Sequence, residues 1–340
     1  MSTDKTKFIS AASVADYNQS HYWEFPEFQQ GIQDFINRKV TILPRIKTVP
    51  ATGYPSRYKE QTKLPHNATF ADVRTGVKDG SYGLTSVDDD YGRVEKVVFL
   101  KCLVSRIKYT LFDKEMVQQQ GQETELLAKD MTDMLNDFYM TMNDKIWNGV
   151  ATGPEDTTSL EYSGILTQVK TKVSVAKPYD FTTKQGDMIT DQIRAQIAKQ
   201  LADAKWNVWP TAIYADPVLV DRIINEERDR AGVRQIIPDG MTLANGWKVP
   251  TVNTAIGNLP LISDAALKAT AAVAPDTKTK HTIAVINEDL IERHYLTSPT
   301  PRIFKMSLNS DLLDDYVAVL FDGLVVKGAD CAHFLMDVSI

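Results

Sequence analysis

Two β-rich runs, residues 40–49 and 96–109, bracket roughly 45 residues with little to bury, too long for an ordinary structureless connection. The stretch holds Gly53, Pro55, Pro65, Gly76, Gly80, Gly83 and Gly92, many charges and few aliphatic side chains. A long β-hairpin resolves this, because cross-strand pairing satisfies its backbone while its side chains stay available to something outside the subunit. The alternative is a mobile surface loop. Lys59, Lys63, Arg74 and Lys78 lie on this excursion with Asp88, Asp89 and Asp90, so opposite charges are available for pairing between copies. The three aspartates are oxygen-rich, as calcium requires, but no further ligands follow at EF-hand offsets. They are expected to form a solvated tip or an acidic patch, and no metal is expected.

Residues 1–39 read as a polar and then aromatic arm. Trp23, Phe25 and Phe28 interleave with Glu24, Pro26 and Glu27, a pattern that suits an extended segment better than a helix. These rings either fold back as a satellite cluster or anchor the arm on a neighbour, where aromatic side chains are favoured. The run at 40–49 contains Pro44, which confines a strand to an edge or a bulge.

Leu127, Met131, Met134, Phe138 and Met142 recur every three or four residues, the stripe of an amphipathic helix over 122–147. Such a helix is roughly 39 Å long. A shorter helical piece starts near Asp113, and Gly149 is the expected C-terminal stop. A second helix is expected over 186–206, with Ile189, Ile193, Ile197 and Leu201 on one face. Residues 211–215 read as a short buried strand leading to Asp216-Pro217, a capping carboxylate followed by proline at the first helical position. Strands are expected at 247–263 and 281–287, with an Ala/Lys/Thr-rich linker at 265–280 and a mainly β final third. The class is α+β, with no internal repeat.

Hydrophobic residues make up 43% of the 340 and charged residues 24%, values of an ordinary globular chain. The net charge of −6 argues against a dedicated nucleic-acid binder, which needs a basic face, and suits a container wall. No run reaches the ~18 apolar residues of a membrane span, and the N-terminus lacks a secretory signal, so cytoplasmic synthesis and no membrane partner are expected. Cys102 and Cys331 are expected to be small buried hydrophobes. No phosphate-binding loop, dinucleotide fingerprint, nucleophile elbow or HExxH motif occurs. His21, His66, His281, His294 and His333 are scattered without an i,i+4 pair. Asp311, Asp314 and Asp315 read as a solvated turn. No catalytic, cofactor or metal residues are assigned, and an enzymatic function is not expected.

The order of elements resembles the HK97-fold major capsid proteins of tailed bacteriophages. It runs aromatic arm, strand, long hairpin, returning strand, a short helix at 111–117, then a long helix ending Asp144-Lys145-Ile146-Trp147-Asn148-Gly149. The family's "NG" and "GIL" signatures have counterparts in Asn148-Gly149 and Gly164-Ile165-Leu166. Its strand–Asp/Pro–helix element resembles Ile213-Tyr214-Ala215-Asp216-Pro217, and its closing strand pair resembles 325–334. The resemblance spans nearly the whole chain. It implies an N-terminal arm at 1–39, an extended loop at 50–95 and a peripheral domain from 40–49 and 96–184. It further implies an axial domain at 185–300 and a return to the peripheral domain over 301–340. It implies self-assembly through hexamers and pentamers into an icosahedral shell around double-stranded DNA, without sequence-specific binding. Trp23, Phe25, Phe28, Lys59, Lys63, Arg74 and Asp88–Asp90 are the expected inter-subunit contacts. The built-in coiled-coil scaffold of the founding member has no counterpart here, which implies a separate scaffolding protein beside a portal, and leaves a decoration protein open. That member's lysine–asparagine crosslink cannot be placed on any residue. The alternatives are an encapsulin-like nanocompartment and, further off, an enzyme built around Asp216-Pro217.

Overall fold

The computed structural model describes residues 40–61, 92–112, 115, 123–175, 177–202, 208–229, 236–242, 248–268, 278–306 and 313–339. In chain order the strands are β1 (Lys47–Pro50), β2 (Ser56–Gln61), β3 (Arg93–Val98), β4 (Lys101–Thr110), β5 (Lys172–Val175), β6 (Ala212–Ala215) and β7 (Ile236–Thr242). They continue with β8 (Lys248–Thr254), β9 (Gly257–Ser263), β10 (Lys280–Ile286), β11 (Ile291–Tyr295), β12 (Arg302–Met306), β13 (Leu313–Val326) and β14 (Phe334–Ser339). The helices are α1 (Glu123–Asn148), α2 (Ile165–Gln168), α3 (Ile189–Ala202) and α4 (Pro217–Asp229).

The long helix expected from the stripe is α1. Its Met134, Phe138 and Met142 pack on Ala318 and Leu320 of β13, with Leu103 and Ile107 of β4 alongside. Ile146 and Trp147, one turn further on, enter a second cluster with Tyr214, Leu324 and Leu335. The chain leaves α1 at Gly149 because nothing larger fits there. A Cβ at Gly149 would lie 2.2 Å from the Tyr162 carbonyl oxygen, and one at Gly164 would lie 2.3 Å from the Trp147 carbonyl oxygen. The two glycines let the helix end and the 163–164 segment run in contact, bridged at Val150 and Ser163.

Two main sheets share the body. In the five-stranded one, β11 and β13 are antiparallel, β1 runs parallel to β11, and β4 pairs with β13 from Leu313↔Thr110 to Asp322↔Lys101. β12 pairs with Asp315–Val319 of β13, so β11 and β12 lie end to end along one side of β13 and β4 along the other. The seven-stranded sheet has the order β5-β14-β10-β6-β9-β8-β7. The strand at 172–175 and the closing strand at 334–339 therefore join the sheet that holds 212–215, whereas 291–295 joins the other.

Both faces of the seven-stranded sheet are covered. On one, Ile213, Val285 and Met336 meet Ile189, Ile193 and Ile197 of α3 and Leu219 and Ile223 of α4. On the other, Tyr214, Ala284 and Leu335 meet Ile42, Ile146, Trp147 and Ile165. A strand buried on both faces carries a continuous apolar run, which is why Ala212-Ile213-Tyr214-Ala215 lacks alternation. Asp216 caps α4 as expected, its Oδ1 accepting the Val218 N–H at 3.1 Å.

Several local expectations are corrected. Residues 40–46 form turns, with the Arg45 and Ile46 N–H groups both donating to the Ile42 carbonyl, and only 47–50 is strand. Ile42 and Ile46 both enter the core from this turn segment. The second helix begins at Ile189, and of its expected end residues 203–206 lie outside the described residues. Cys102 is exposed and Cys331 half-buried, not core hydrophobes. Asp314 and Asp315 are buried on β13, paired with Lys305 and Arg106, instead of lying in a solvated turn; Asp311 is outside the described residues.

Candidate interaction surfaces

The base of the hairpin is a ladder of β2 and β3, from Ser56↔Val98 to Gln61↔Arg93. Residues 62–91 lie outside the described residues. Alternation sends Ser56, Tyr58 and Glu60 toward the body and Arg57, Lys59 and Gln61 away from it. Ser56, 1% exposed, hydrogen-bonds through Oγ with His294 Nδ1 at 2.9 Å. The Tyr58 ring stands edge-on to His294 at 6.2 Å. Glu60 accepts the Gly328 N–H and pairs with Lys96. Val98 lies against Gly323, where an added Cβ would come within 2.9 Å of Val98 Cγ2.

Beneath the ladder, β11 offers Glu292 and His294. Glu292 is 2.7 Å from Lys327 Nζ, 3.8 Å from Lys47 Nζ and 3.4 Å from His294 Nε2. Burial raises the Glu292 carboxyl, but hydrogen bonds from Lys327 and His294 outweigh it and hold the group below its usual range. Burial lowers His294, with Lys327 adding to this and Glu292 opposing it. On the other face of the same sheet Asp322 is fully buried, 3.6 Å from Arg293, and burial pushes its carboxyl up to about 6. The hairpin base is thus rooted in polar contacts to β11 and to the turn at Gly328.

The remaining histidines also serve internal bonds. His281 Nδ1 lies 2.6 Å from Asp216 Oδ2, and His333 accepts the Asn287 N–H at 3.1 Å through Nδ1. Asp264, 2% exposed, accepts hydrogen bonds from Thr41, Asn143 and Trp147, fastening the 40–46 segment to the end of α1. Among the described residues no group of three or more His, Cys, Asp or Glu side chains is placed to hold a metal ion. No described helix is long and apolar enough to cross a membrane.

The second surface was not singled out by the sequence. Directly opposed residues of antiparallel strands share a face; α1 packs on one face of β13 and β4, and the opposite face, continued onto β12, carries three rows. These are Arg302–Val319–Val104, Phe304–Val317–Arg106 and Met306–Asp315–Lys108, with Phe321–Cys102 beside them. The hairpin ladder covers only the end of this face at Gly323. Val104 is 53% exposed, Met306 51%, Phe304 43% and Phe321 42%. A shallow groove lined by Thr297, Ser298, Thr300, Arg302, Phe304 and Phe321 adjoins them. The signal was present in 101–110, whose alternation puts apolar residues on both faces: Leu103 and Ile107 inward, Cys102 and Val104 outward.

Of the expected contact residues, Lys59 is exposed on β2 opposite Glu95. Trp23, Phe25, Phe28, Lys63, Arg74, Asp88, Asp89 and Asp90 lie outside the described residues.

No sequence-family model and no curated protein sequence matches the chain. Solved structures do. A chain from Gordonia phage Cozz superposes with a TM-score of 0.58 at 13% identity, covering 100% of this chain and 98% of that one. The capsid of the native GTA particle gives 0.59 at 12% identity, covering 98% and 100%. The SrpI encapsulin complex from Synechococcus elongatus gives 0.51 at 14% identity, covering 97% and 96%. The chain therefore has the HK97-like shell-protein fold over its full length.

Proposed function

We propose that this chain is the structural subunit of an icosahedral capsid shell of a tailed double-stranded DNA bacteriophage. The observation that carries this reading is the full-length match of fold to a chain from Gordonia phage Cozz and to capsids of GTA particles. In this reading the five-stranded sheet with α1 is the peripheral domain, and the seven-stranded sheet with α3 and α4 surrounds the capsomer axis. The arm at 1–39 and the loop at 50–95 clasp neighbours, with Trp23, Phe25, Phe28, Lys59, Lys63, Arg74 and Asp88–Asp90 as contacts. A surface used head-to-tail closes into rings, and rings of five and six close into a shell. The protein acts by binding copies of itself, with no catalytic step. It is made in the host cytoplasm and ends in the virion, with a portal and a separate scaffolding protein as partners.

An encapsulin-like compartment is the second reading, supported by the lower-scoring match to the encapsulin complex. Negative-stain microscopy of the protein expressed alone, and again with candidate scaffold proteins, tests the assembly reading. Closed shells, tubes or rings of five and six are expected, and a monodisperse monomer under every condition defeats it. Deleting residues 55–92 should leave a soluble subunit that closes no shell. Nucleic acid inside particles from infected cells separates capsid from compartment.

A further inference from the structure

The open face of the five-stranded sheet is apolar at Val104, Phe304, Met306 and Phe321 and carries Arg302, Arg106 and Lys108 against the single carboxylate of Asp315. Arg106 is paired with Asp315, while the Arg302 guanidinium lies 5.2 Å from the Phe304 ring centre. The face therefore suits a strip that brings aromatic rings and negative charge together. One stretch of this chain has that composition. Residues 8–37 contain Asp16, Glu24, Glu27 and Asp34 and no lysine or arginine, and Tyr22, Trp23, Phe25 and Phe28 cluster within them. The hairpin residues 62–91 are a poorer complement, because Lys63, Arg74 and Lys78 offset their five aspartates to a net −2, against −4 for residues 8–37.

Geometry selects whose arm it is. Residues 40–46 are fastened on the α1 side, through Thr41 to Asp264 and Ile42 beside Trp147. The open face looks the opposite way. The 12 peptide steps from Phe28 to Val40 span at most about 40 Å when extended. That reach allows the segment to meet an adjacent subunit.

Resting on the assembly reading, we infer that the open face of β12, β13 and β4 is the docking site for the aromatic–acidic segment 21–28 of a neighbouring copy's arm. The rings cover Val104, Phe304 and Phe321, and Glu24 and Glu27 meet Arg302 and Lys108. Burial of this face then occurs only on assembly, which keeps the free subunit soluble and makes the face part of the lattice.

Cys102 lies on this face beside Phe321, so the protein carries its own reporter. Full-length copies bearing Glu24→Cys, Cys102→Ser and Cys331→Ser are co-assembled with differently tagged copies bearing only Cys331→Ser, then oxidised with copper–phenanthroline. Disulfide-linked dimers of the two tags, mapped by mass spectrometry to Cys102, are expected. Arg302→Glu should lower their yield several-fold, and Glu27→Lys in the arm should restore it, a rescue that misfolding cannot mimic. Particles without such dimers overturn the inference. So does a crosslink within one chain when Glu24→Cys and Cys102 share it, or capture of Cys102 by Ser86→Cys of the hairpin in place of the arm. Absence of particles in the microscope defeats the assembly reading itself, and the inference with it, by a separate measurement.

Discussion

The two main sheets are built from similar residues and are finished differently. The centre of the seven-stranded sheet is packed on both faces, and β6 and the core of β10 are buried without alternation. The five-stranded sheet is closed under α1 and, at its β11 end, under the hairpin base, but open over β12 and β4, and β4 alternates along its whole length. The centre of one sheet is closed by the chain's own layers; the other leaves Val104, Phe304, Met306 and Phe321 exposed. The open part of the five-stranded sheet, β12, β13 and β4, is antiparallel throughout, an arrangement that tolerates one uncovered face.

The largest expected effect that could break this contrast is in the two-sided sheet. Phe334→Ala and Trp147→Ala, each fully buried, should cost about 3–5 kcal/mol in the urea unfolding free energy of the free subunit. A loss below ~1 kcal/mol at either position would mean that the sheet is not the self-sufficient half.

The seam between the sheets gives the next effect. Burial raises Asp322 to about 6, so its folded form binds a proton more tightly than the unfolded chain does, and stability is lost as pH rises from ~4 to ~6. Burial lowers His333 to about 4, so its contribution is lost as pH falls from ~6.5 to ~4. The two slopes oppose each other over the same window, each amounting to roughly 3 kcal/mol. Relative to the unaltered protein, Asp322→Asn should make stability rise more steeply between pH 4 and 6, and His333→Gln should make it fall. Parallel melting-temperature profiles for all three proteins would refute the opposition.

Gly149→Ala should cost about 1–3 kcal/mol, because the new methyl meets backbone carbonyls that cannot swing aside. Thermal melting reads it, and Val150→Ala next to it, on an exposed residue, is the control. At the hairpin root, Ser56→Ala should cost ~1 kcal/mol through the orphaned His294 nitrogen. Arg57→Ala, which breaks the exposed 3.3 Å pair with Glu95, should change stability by less than ~0.5 kcal/mol. The smallest effect sharpens the comparison most. Val104→Ala and Phe304→Ala should leave the free subunit within about 0.5 kcal/mol of the unaltered protein while reducing the yield of closed particles. Equal losses in denaturation and assembly would mean the open face is ordinary core.

The amino-acid order alone determined the elements whose signal is local. The stripe from Leu127 to Met142 gave α1 because a single apolar face at helical spacing has one efficient way to be buried. Asp216-Pro217 gave the start of α4 because a capping oxygen and a preset φ act within one turn. The bracketing runs around 50–95 gave a hairpin base because a core-poor stretch must pair with itself. Tertiary structure decided what depends on partners far away in sequence. Pro44 and the apolar run 40–46 looked like strand until Ile42 and Ile46 had a core to enter. Asp314 and Asp315 looked solvated until β13 brought Lys305 and Arg106 beside them. Glu292, His294 and Lys327 had no local pattern, because their meaning comes from the packing of the hairpin base on β11, where Ser56 Oγ meets His294 Nδ1. Which face of 101–110 is covered could not be read from its alternation, since both faces carry apolar residues. Only the packing of α1 on Leu103 and Ile107 leaves Val104 and its neighbours open.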